Sequence, residues 1–103
     1  MNLQFEWDDQ KANLNLKKHS VSFEVAKTVF DDPLAYIFGD ELHSVGEQRE
    51  IIIGHDQNNR LLLICFTQKA TNVIRIISAR LATKKERKDY EEFTGFWISG
   101  QRR

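Results

Sequence analysis

Apolar and polar positions divide this chain into short segments with the period of β-strands and longer segments with the period of helices. Residues 3–7 alternate apolar and polar side chains, which predicts a half-buried strand. Residues 61–66 are apolar without interruption, so we expect a central strand, over about 60–67, that is covered on both faces. The other strands are predicted at about 34–38, 48–54 and 72–79, and connections of hairpin length join the last three strands of the chain.

Two helices are predicted between the first two strands. Asp8 has the side chain of an N-cap, and the helix after it is expected to run to about residue 18. Ser22 caps a second helix over residues 23–30, in which apolar side chains recur at helical spacing and which stops before Pro33.

The faces of the first helix follow from its spacing. Ala12 and Leu16 are expected to point to one side of the helix. Lys11, Asn15 and Lys18 share another face, which is solvated by default or else functional.

The C-terminal part of the chain predicts a third helix. Thr83 and Glu86 form a capping box at its start, and the helix is almost wholly polar through residue 92. Together the elements predict an α+β fold in one domain over residues 1–103. Two N-terminal helices pack on a mainly antiparallel sheet of four to five strands, and a C-terminal helix follows.

Composition and charge narrow the class of protein. With 41% hydrophobic residues the 103-residue chain can form a packed core. The net charge is zero, yet residues 1–59 hold 5 basic and 11 acidic side chains, whereas residues 60–103 hold 10 and 4. Cys65 is the single cysteine, which excludes a disulfide framework. No signal peptide or membrane span is recognisable, so we expect a cytoplasmic protein.

The segment from Arg75 to Arg80 carries the clearest chemical signal. Two arginines bracket an apolar strand-like segment, and Lys84 and Lys85 follow at the start of the third helix. Arginine grips phosphate through a planar fork of donors, so this pattern predicts a site for a phosphodiester and hence for a nucleic acid. Five residues apart, the two arginines would face opposite sides of a regular strand, unless the strand twists, bulges or ends early.

Cleavage of RNA without a metal ion needs a base for the ribose 2′-hydroxyl, an acid for the leaving oxygen and cations for the phosphate. Arg49, Arg75 and Arg80 are candidates for the cations. Arg75 and Arg80 could each instead form a salt bridge to Glu6, Glu47 or Glu50. The candidates for proton transfer are His19, His43 and Glu47, and Lys11, Lys18, Lys84 and Lys85 are predicted to add RNA contacts. No metal-ligand spacing and no phosphate-binding glycine loop stand out, so neither a metal nor a cofactor is expected.

Further short motifs follow one another in a specific order. They are Phe5-Glu6-Trp7-Asp8 with Lys11 and Asn15, Lys18-His19, Val21-Ser22-Phe23-Glu24 with Ala26, Val29-Phe30 with Asp32-Pro33, His43-Ser44 with Glu47 and Arg49, and the segment 75–80 with Glu86, Arg87 and Tyr90. In this order and spacing they resemble the BrnT toxin family over about residues 5–91. One departure is Ser20, which stands where that family usually has glycine after Lys-His.

The resemblance implies a type II toxin–antitoxin system, a RelE-like fold and a ribonuclease that halts translation. It also implies a BrnA-type antitoxin that dimerises and binds operator DNA, so that the complex represses its own operon. We therefore expect a metal-independent endoribonuclease toxin that acts on RNA and is neutralised by this antitoxin. The alternative is a non-catalytic module that binds the antitoxin and acts as a co-repressor on operator DNA.

Overall fold

The computed structural model of the chain describes residues 2–40, 44 and 46–101, with side chains up to residue 94. This part forms an α+β fold with three α-helices and one five-stranded mixed sheet. The elements are β1 Gln4–Glu6, α1 Asp9–His19, α2 Phe23–Ala26, a 3-10 helix Lys27–Asp31, β2 Tyr36–Gly39, β3 Glu50–His55, β4 Leu61–Ala70, β5 Val73–Leu81 and α3 Lys84–Gln101.

The sheet has the strand order β1-β5-β4-β3-β2. β1 runs parallel to β5, and the other neighbours are antiparallel. β4 is the middle strand, as its continuous apolar sequence predicted, and six of its first seven residues are buried. The prediction of a mainly antiparallel sheet is confirmed.

The main core lies between one face of the sheet and the N-terminal helices. The Phe30 ring joins the two layers, because it contacts the Phe5 ring at 5.2 Å and the Phe66 ring at 5.1 Å between centroids. The second predicted helix changes from α to 3-10 geometry at Lys27, which tightens its last turns before the chain becomes extended at Asp32. The buried side chains of this core are Val21, Phe23, Ala26, Val29, Ile52, Leu62, Ile64, Phe66, Ile74, Ile76 and Ala79.

Asn15 occupies the inner side of α1, so its predicted place on a solvated face is wrong. Its side-chain nitrogen donates to the carbonyls of Val21 at 2.9 Å and Ala79 at 2.8 Å, and its oxygen accepts from the Ala79 N–H at 3.0 Å. The short strand β1 ends at Glu6, so the amide of Asn15 satisfies the edge of β5 beyond it. Ala12 packs against the main core, whereas Leu16 is half exposed.

α3 begins with the predicted capping box. The Thr83 N–H donates to Glu86 at 2.9 Å, and the Glu86 N–H donates to the Thr83 hydroxyl at 3.1 Å. The helix continues beyond residue 92 to Gln101, and it buries Tyr90 in a second, smaller cluster with Ile53 and Leu61. None of the described helices is long and apolar enough to cross a membrane.

The role of Asn15 predicts a large loss of stability on substitution. Asn15→Leu leaves the buried N–H of Ala79 and two carbonyls unpaired, so we expect it to lower the free energy of unfolding by at least about 2 kcal/mol. Asn13→Leu on the exposed side of the same helix should change it by less than about 0.5 kcal/mol. Urea unfolding of both variants measures the difference, and equal losses would contradict the edge-sealing role of Asn15.

The end of α1 predicts a gain of stability. Ser20 has φ 58° and ψ 30°, the left-handed conformation that costs a residue with a Cβ atom about 1–2 kcal/mol. Ser20→Gly removes this cost but adds entropy to the unfolded chain, so we expect a net gain of up to about 1 kcal/mol. Thermal unfolding measures it. Ser20→Ala keeps the Cβ atom and should give no gain, and a gain of the same size in Ser20→Ala would refute the backbone explanation.

Candidate functional site

A bulge in β5 brings Arg75 and Arg80 to the same face of the sheet. Arg80 lies opposite Leu63, and Arg75 lies opposite Thr67, two residues of β4 whose positions differ by an even number and which therefore share a face. The register shifts by one residue at Ile77, between these pairs. The arginines thus both point away from α1 and α2, and the bulge is the feature that allows them to share a site.

The neighbouring strands extend this surface. Ile51 of β3 lies opposite Cys65, which itself lies opposite Ser78, and Phe38 of β2 lies opposite Ile51. Arg49 lies two residues before Ile51 in the sequence, so its side chain is on the same face of the sheet. We call this surface the basic face. Its residues are Phe38, Asp40, Arg49, Ile51, Leu63, Cys65, Thr67, Lys69, Arg75, Ser78 and Arg80.

α3 covers the end of the sheet next to the basic face. Tyr90 packs on Ile53 and Leu61 there, and the ring of Tyr36 stacks on that of Tyr90 with centroids 6.0 Å apart. Arg80 adjoins this covered end, because its guanidinium bonds to Glu86 on the first turn of α3. The helix therefore bounds the basic face on the side of Arg80.

Two cavities open along the basic face, and Asp40 and Arg49 line both. The first, of ≈ 330 Å³, has a partly apolar floor. The second, of ≈ 470 Å³, lies toward the turn before β3. Besides the two shared residues, Ile51, Leu63, Cys65, Ile77, Ser78 and Arg80 line the first, and Gly39, Ser44, Gly46, Glu47 and Gln48 line the second.

Two of the three predicted arginines are paired with carboxylates. Arg75 donates to Glu6 on β1 at 2.8 Å, with both side chains more than a third exposed. Arg80 donates to both oxygens of Glu86, at 2.7 Å and 2.8 Å, in a bidentate pair. The hydrogen bond from Arg80 lowers the pKa of Glu86 from 4.5 to about 2, and the same bond raises the pKa of Arg80. Arg80 is therefore fixed in place by α3.

Arg49 differs from the other two arginines. None of the ion pairs among the described residues includes it, and its buried Nε–H has no hydrogen-bond partner there. Its own backbone is held by two bonds, since its N–H donates to the Ser44 hydroxyl at 3.0 Å and its carbonyl accepts from the Asp40 N–H at 2.9 Å. A guanidinium that has no ion pair among the described residues, sits on a fixed backbone and borders two cavities is well placed to meet an anion.

Glu47 forms the acidic member of the same group. It accepts a hydrogen bond from Lys69 at 2.9 Å, and this bond lowers its pKa, with smaller contributions from the charges of Arg49 and Arg75. Glu47 is therefore ionised at neutral pH and can accept a proton, although a lowered pKa weakens it as a base.

Two residues of β4 complete the face and were not among the predicted site residues. Thr67 is 2% exposed, and its hydroxyl has no partner among the described residues. Cys65 lies beneath the cations, with its sulfur 3.9 Å from Asp40, and burial raises the pKa of its thiol, so it stays a thiol at neutral pH. A buried hydroxyl without a partner costs stability, so its presence beside the arginines favours a functional over a structural explanation.

The other predicted residues belong to the helices α1 and α3 or lie outside the described residues. His19 ends α1 one turn after Asn15, which bonds to Ala79, the neighbour of Arg80. His43 lies outside the described residues. Lys11 and Lys18 are exposed on α1, and Lys84 and Lys85 are exposed at the start of α3, next to the Arg80–Glu86 pair. Among the described residues, no three His, Cys, Asp or Glu side chains are grouped as metal ligands would be.

The fold and the arginine-bearing sheet face define a small α+β protein with a surface suited to a polyanion. Residues 7–86 match the family described as "Ribonuclease toxin, BrnT, of type II toxin-antitoxin system", and the chain belongs to this family. Membership makes it a ribonuclease toxin with RNA as its substrate class and an antitoxin as its partner.

One solved structure supports the fold. The chain superimposes on the Brucella abortus ribonuclease toxin BrnT, crystallised at 1.1 Å resolution, with a TM-score of 0.62 and 20% sequence identity. The alignment covers 81% of this chain and 100% of the Brucella chain. No curated protein matches the chain significantly.

The Arg80–Glu86 pair predicts a pH dependence of stability. Because the pKa of Glu86 is lower in the folded chain, about 2 against 4.5, its ionised form stabilises the fold above pH 4.5. That stabilisation is lost as the pH falls toward 2. We expect Glu86→Gln to be less stable than the parent at neutral pH. The difference between their free energies of unfolding should become smaller as the pH falls from 4.5 toward 2. Urea midpoints across the pH range measure it.

The control for this titration is Glu91→Gln, at an exposed position of the same helix. This variant should follow the parent at every pH. A gap between parent and Glu86→Gln that stays constant down to pH 2 would show that the ionised pair adds nothing specific.

Proposed function

We propose that this chain is a metal-independent endoribonuclease that binds the scissile phosphate of RNA on the basic face and thereby inhibits translation. The observation that carries the proposal is Arg49, a guanidinium without an ion pair among the described residues, at the border of two cavities. Arg75 and Arg80 flank the same surface. A phosphodiester is the anion that family membership supplies, because the family's substrate is RNA.

The reaction needs no group beyond the side chains of this chain. A base takes the proton of the ribose 2′-hydroxyl, the freed oxygen attacks phosphorus, and the bond from phosphorus to the 5′ oxygen breaks. An acid then protonates that leaving oxygen, and the products are a cyclic phosphate and a free 5′-hydroxyl. Negative charge grows on the phosphate oxygens in the transition state, where the donors of Arg49 stabilise it.

We assign the role of base to Glu47 and the role of acid to a histidine. Glu47 is ionised and lies in the field of Arg49 and Arg75, so it can act as the base. His19 and His43 are the candidates for the acid, because histidine exchanges protons near neutral pH. The choice between the two histidines stays open.

Arg75 and Arg80 contribute differently in this proposal. The Arg75–Glu6 pair is exposed, and exposed ion pairs are worth about 0–1 kcal/mol, so a phosphate can replace Glu6 at low cost. Arg80 keeps Glu86 and offers the phosphate its charge from a fixed position. The exposed Lys11, Lys18, Lys84 and Lys85 extend the attraction to neighbouring phosphates.

The partner is proposed to be a BrnA-type antitoxin that dimerises and carries the complex to operator DNA. The family is one of toxin–antitoxin systems, which supports an antitoxin as such. The resemblance to the BrnT family also supports the proposals of a RelE-like fold and of action on RNA in the cytoplasm.

The site predicts a severe loss of cleavage on removal of the Arg49 guanidinium. Losing one preorganised donor costs about 10²–10³ in rate, so Arg49→Gln should slow RNA cleavage by that factor. Arg49→Lys retains the charge without the fork and should fall between the parent and Arg49→Gln. The measurement is cleavage of a labelled messenger RNA, both as purified RNA with a chelator and in a translating extract. The translating extract would reveal cleavage by an enzyme that acts only on ribosome-bound RNA.

Lys17→Gln, which removes one charge from the exposed side of α1, is the matched control and should cleave like the parent. Full activity of a folded Arg49→Gln variant would refute the assignment. No cleavage by the parent in either setting, with tight antitoxin binding, would favour the alternative of a co-repressor module. Two arginines already neutralised by carboxylates are the observation that supports this alternative.

A further inference from the structure

We infer that Phe38 is a stacking platform for an unpaired base, so that the basic face takes single-stranded rather than duplex RNA. The inference rests on the proposed function, because it names the form of RNA that the same site accepts. It is carried by an aromatic ring that is exposed on the basic face beside Arg49.

The position of Phe38 follows from the register of the sheet. Phe38 lies opposite Ile51, and Arg49 precedes Ile51 by two residues, so Phe38 and Arg49 are diagonal neighbours on one face. Such neighbours are about 7–8 Å apart, within reach of aromatic and long side chains. A nucleotide whose phosphate lies on Arg49 therefore has its base within reach of the Phe38 ring.

Packing covers the neighbouring aromatic ring on β2 but leaves the Phe38 ring exposed. Tyr36, two residues earlier on the same face, is covered by α3, with the Phe93 ring 4.3 Å and the Tyr90 ring 6.0 Å from it. The Phe38 ring lies 5.8 Å from the Tyr36 ring, centroid to centroid, and is 41% exposed. The aromatic row along β2 thus changes from a packed ring to an open one at the border of the cationic surface.

The charges beside Phe38 decide what would cover it. An exposed ring alone could receive the apolar side chain of a protein partner. Arg49, Lys69, Arg75 and Arg80 occupy the same face, and cations interleaved with an aromatic ring favour a chain with phosphates and flat bases. In a duplex the bases are stacked on one another and unavailable, so the platform selects unpaired RNA.

The chain provides a matched control for this surface. Ile37 is the neighbour of Phe38 on the same edge strand and is 51% exposed. It lies opposite Ile52, a core residue, so its side chain is on the other face of the sheet, away from the arginines. Substitution of either residue removes exposed apolar surface from β2, but Phe38 alone borders the site.

The test is binding of a fluorescein-labelled, 2′-O-methylated RNA oligonucleotide, which lacks the attacking hydroxyl, to the full chain by fluorescence anisotropy. We expect Phe38→Ala to weaken binding of the single strand by roughly 5- to 150-fold, the cost of one lost base–aromatic stack. Phe38→Tyr, which keeps a ring, should bind within a few-fold of the parent, and Ile37→Ala should bind as the parent does. Affinity for the same oligonucleotide annealed to its complement should be the same in all variants.

Several results would overturn the inference. They are equal affinities of Phe38→Ala and Ile37→Ala for the single strand, equal losses for single strand and duplex, or no measurable binding by the parent. A Phe38→Ala variant that loses antitoxin binding but not RNA binding would assign the ring to the partner instead. These failures leave Arg49-dependent cleavage untouched. Conversely, Phe38-dependent binding without any cleavage of unmodified RNA would refute the proposed function but support the role of Phe38 as a stacking platform.

Discussion

The extra residue at Ile77 is the constraint on which the basic face depends. The core requires Ile76 and Ala79 to point toward the helices, and their positions differ by three, an odd number that a regular strand cannot place on one face. The bulge resolves this conflict and at the same time turns Arg80 outward to join Arg75. Without it, either the core or the arginine pair would be lost, because an unpaired guanidinium cannot be buried among apolar side chains at an acceptable cost. Packing and chemistry are thus fixed by the same local irregularity.

The arginines on the basic face differ in how strongly carboxylates hold them. Arg80 is held bidentately by a glutamate that also caps α3, so one carboxylate connects helix, strand and site. Its removal would free the guanidinium and also loosen the helix start, and for that reason stability and function cannot be separated at this position. Arg75 shares an exposed pair that contributes little to stability, and Arg49 has no ion pair among the described residues. The order of availability to a phosphate is therefore Arg49, then Arg75, then Arg80.

Local signals in the sequence predicted the caps, the central strand and the arginine-bearing strand, because each depends on neighbouring residues alone. From the sequence, the bulge could be given only as one condition under which Arg75 and Arg80 share a face. Whether β5 needs a bulge depends on which of its side chains are buried in the core, and this is decided by tertiary packing. Asn15 was misassigned for a related reason. In a helical pattern an amide is typical of the solvated side, and only the early end of β1 makes a polar side chain necessary inside. The odd spacing of Ile76 and Ala79 is the one signal that could have located the bulge.

A neutral chain can still present a cationic surface, because its acidic residues act as internal counterions. Glu6, Glu47 and Glu86 neutralise cations of the basic face in the free protein. Because these carboxylates stay beside the cations, the surface neutralises few RNA phosphates in net and releases few of the counterions condensed on RNA. Attraction to RNA at a distance is therefore weak and depends little on salt. Binding must then rely on contacts made at the surface itself. The Arg49 guanidinium and the exposed Phe38 ring can make contacts of that kind, and the proposed site would then discriminate by the geometry of the RNA rather than by its charge.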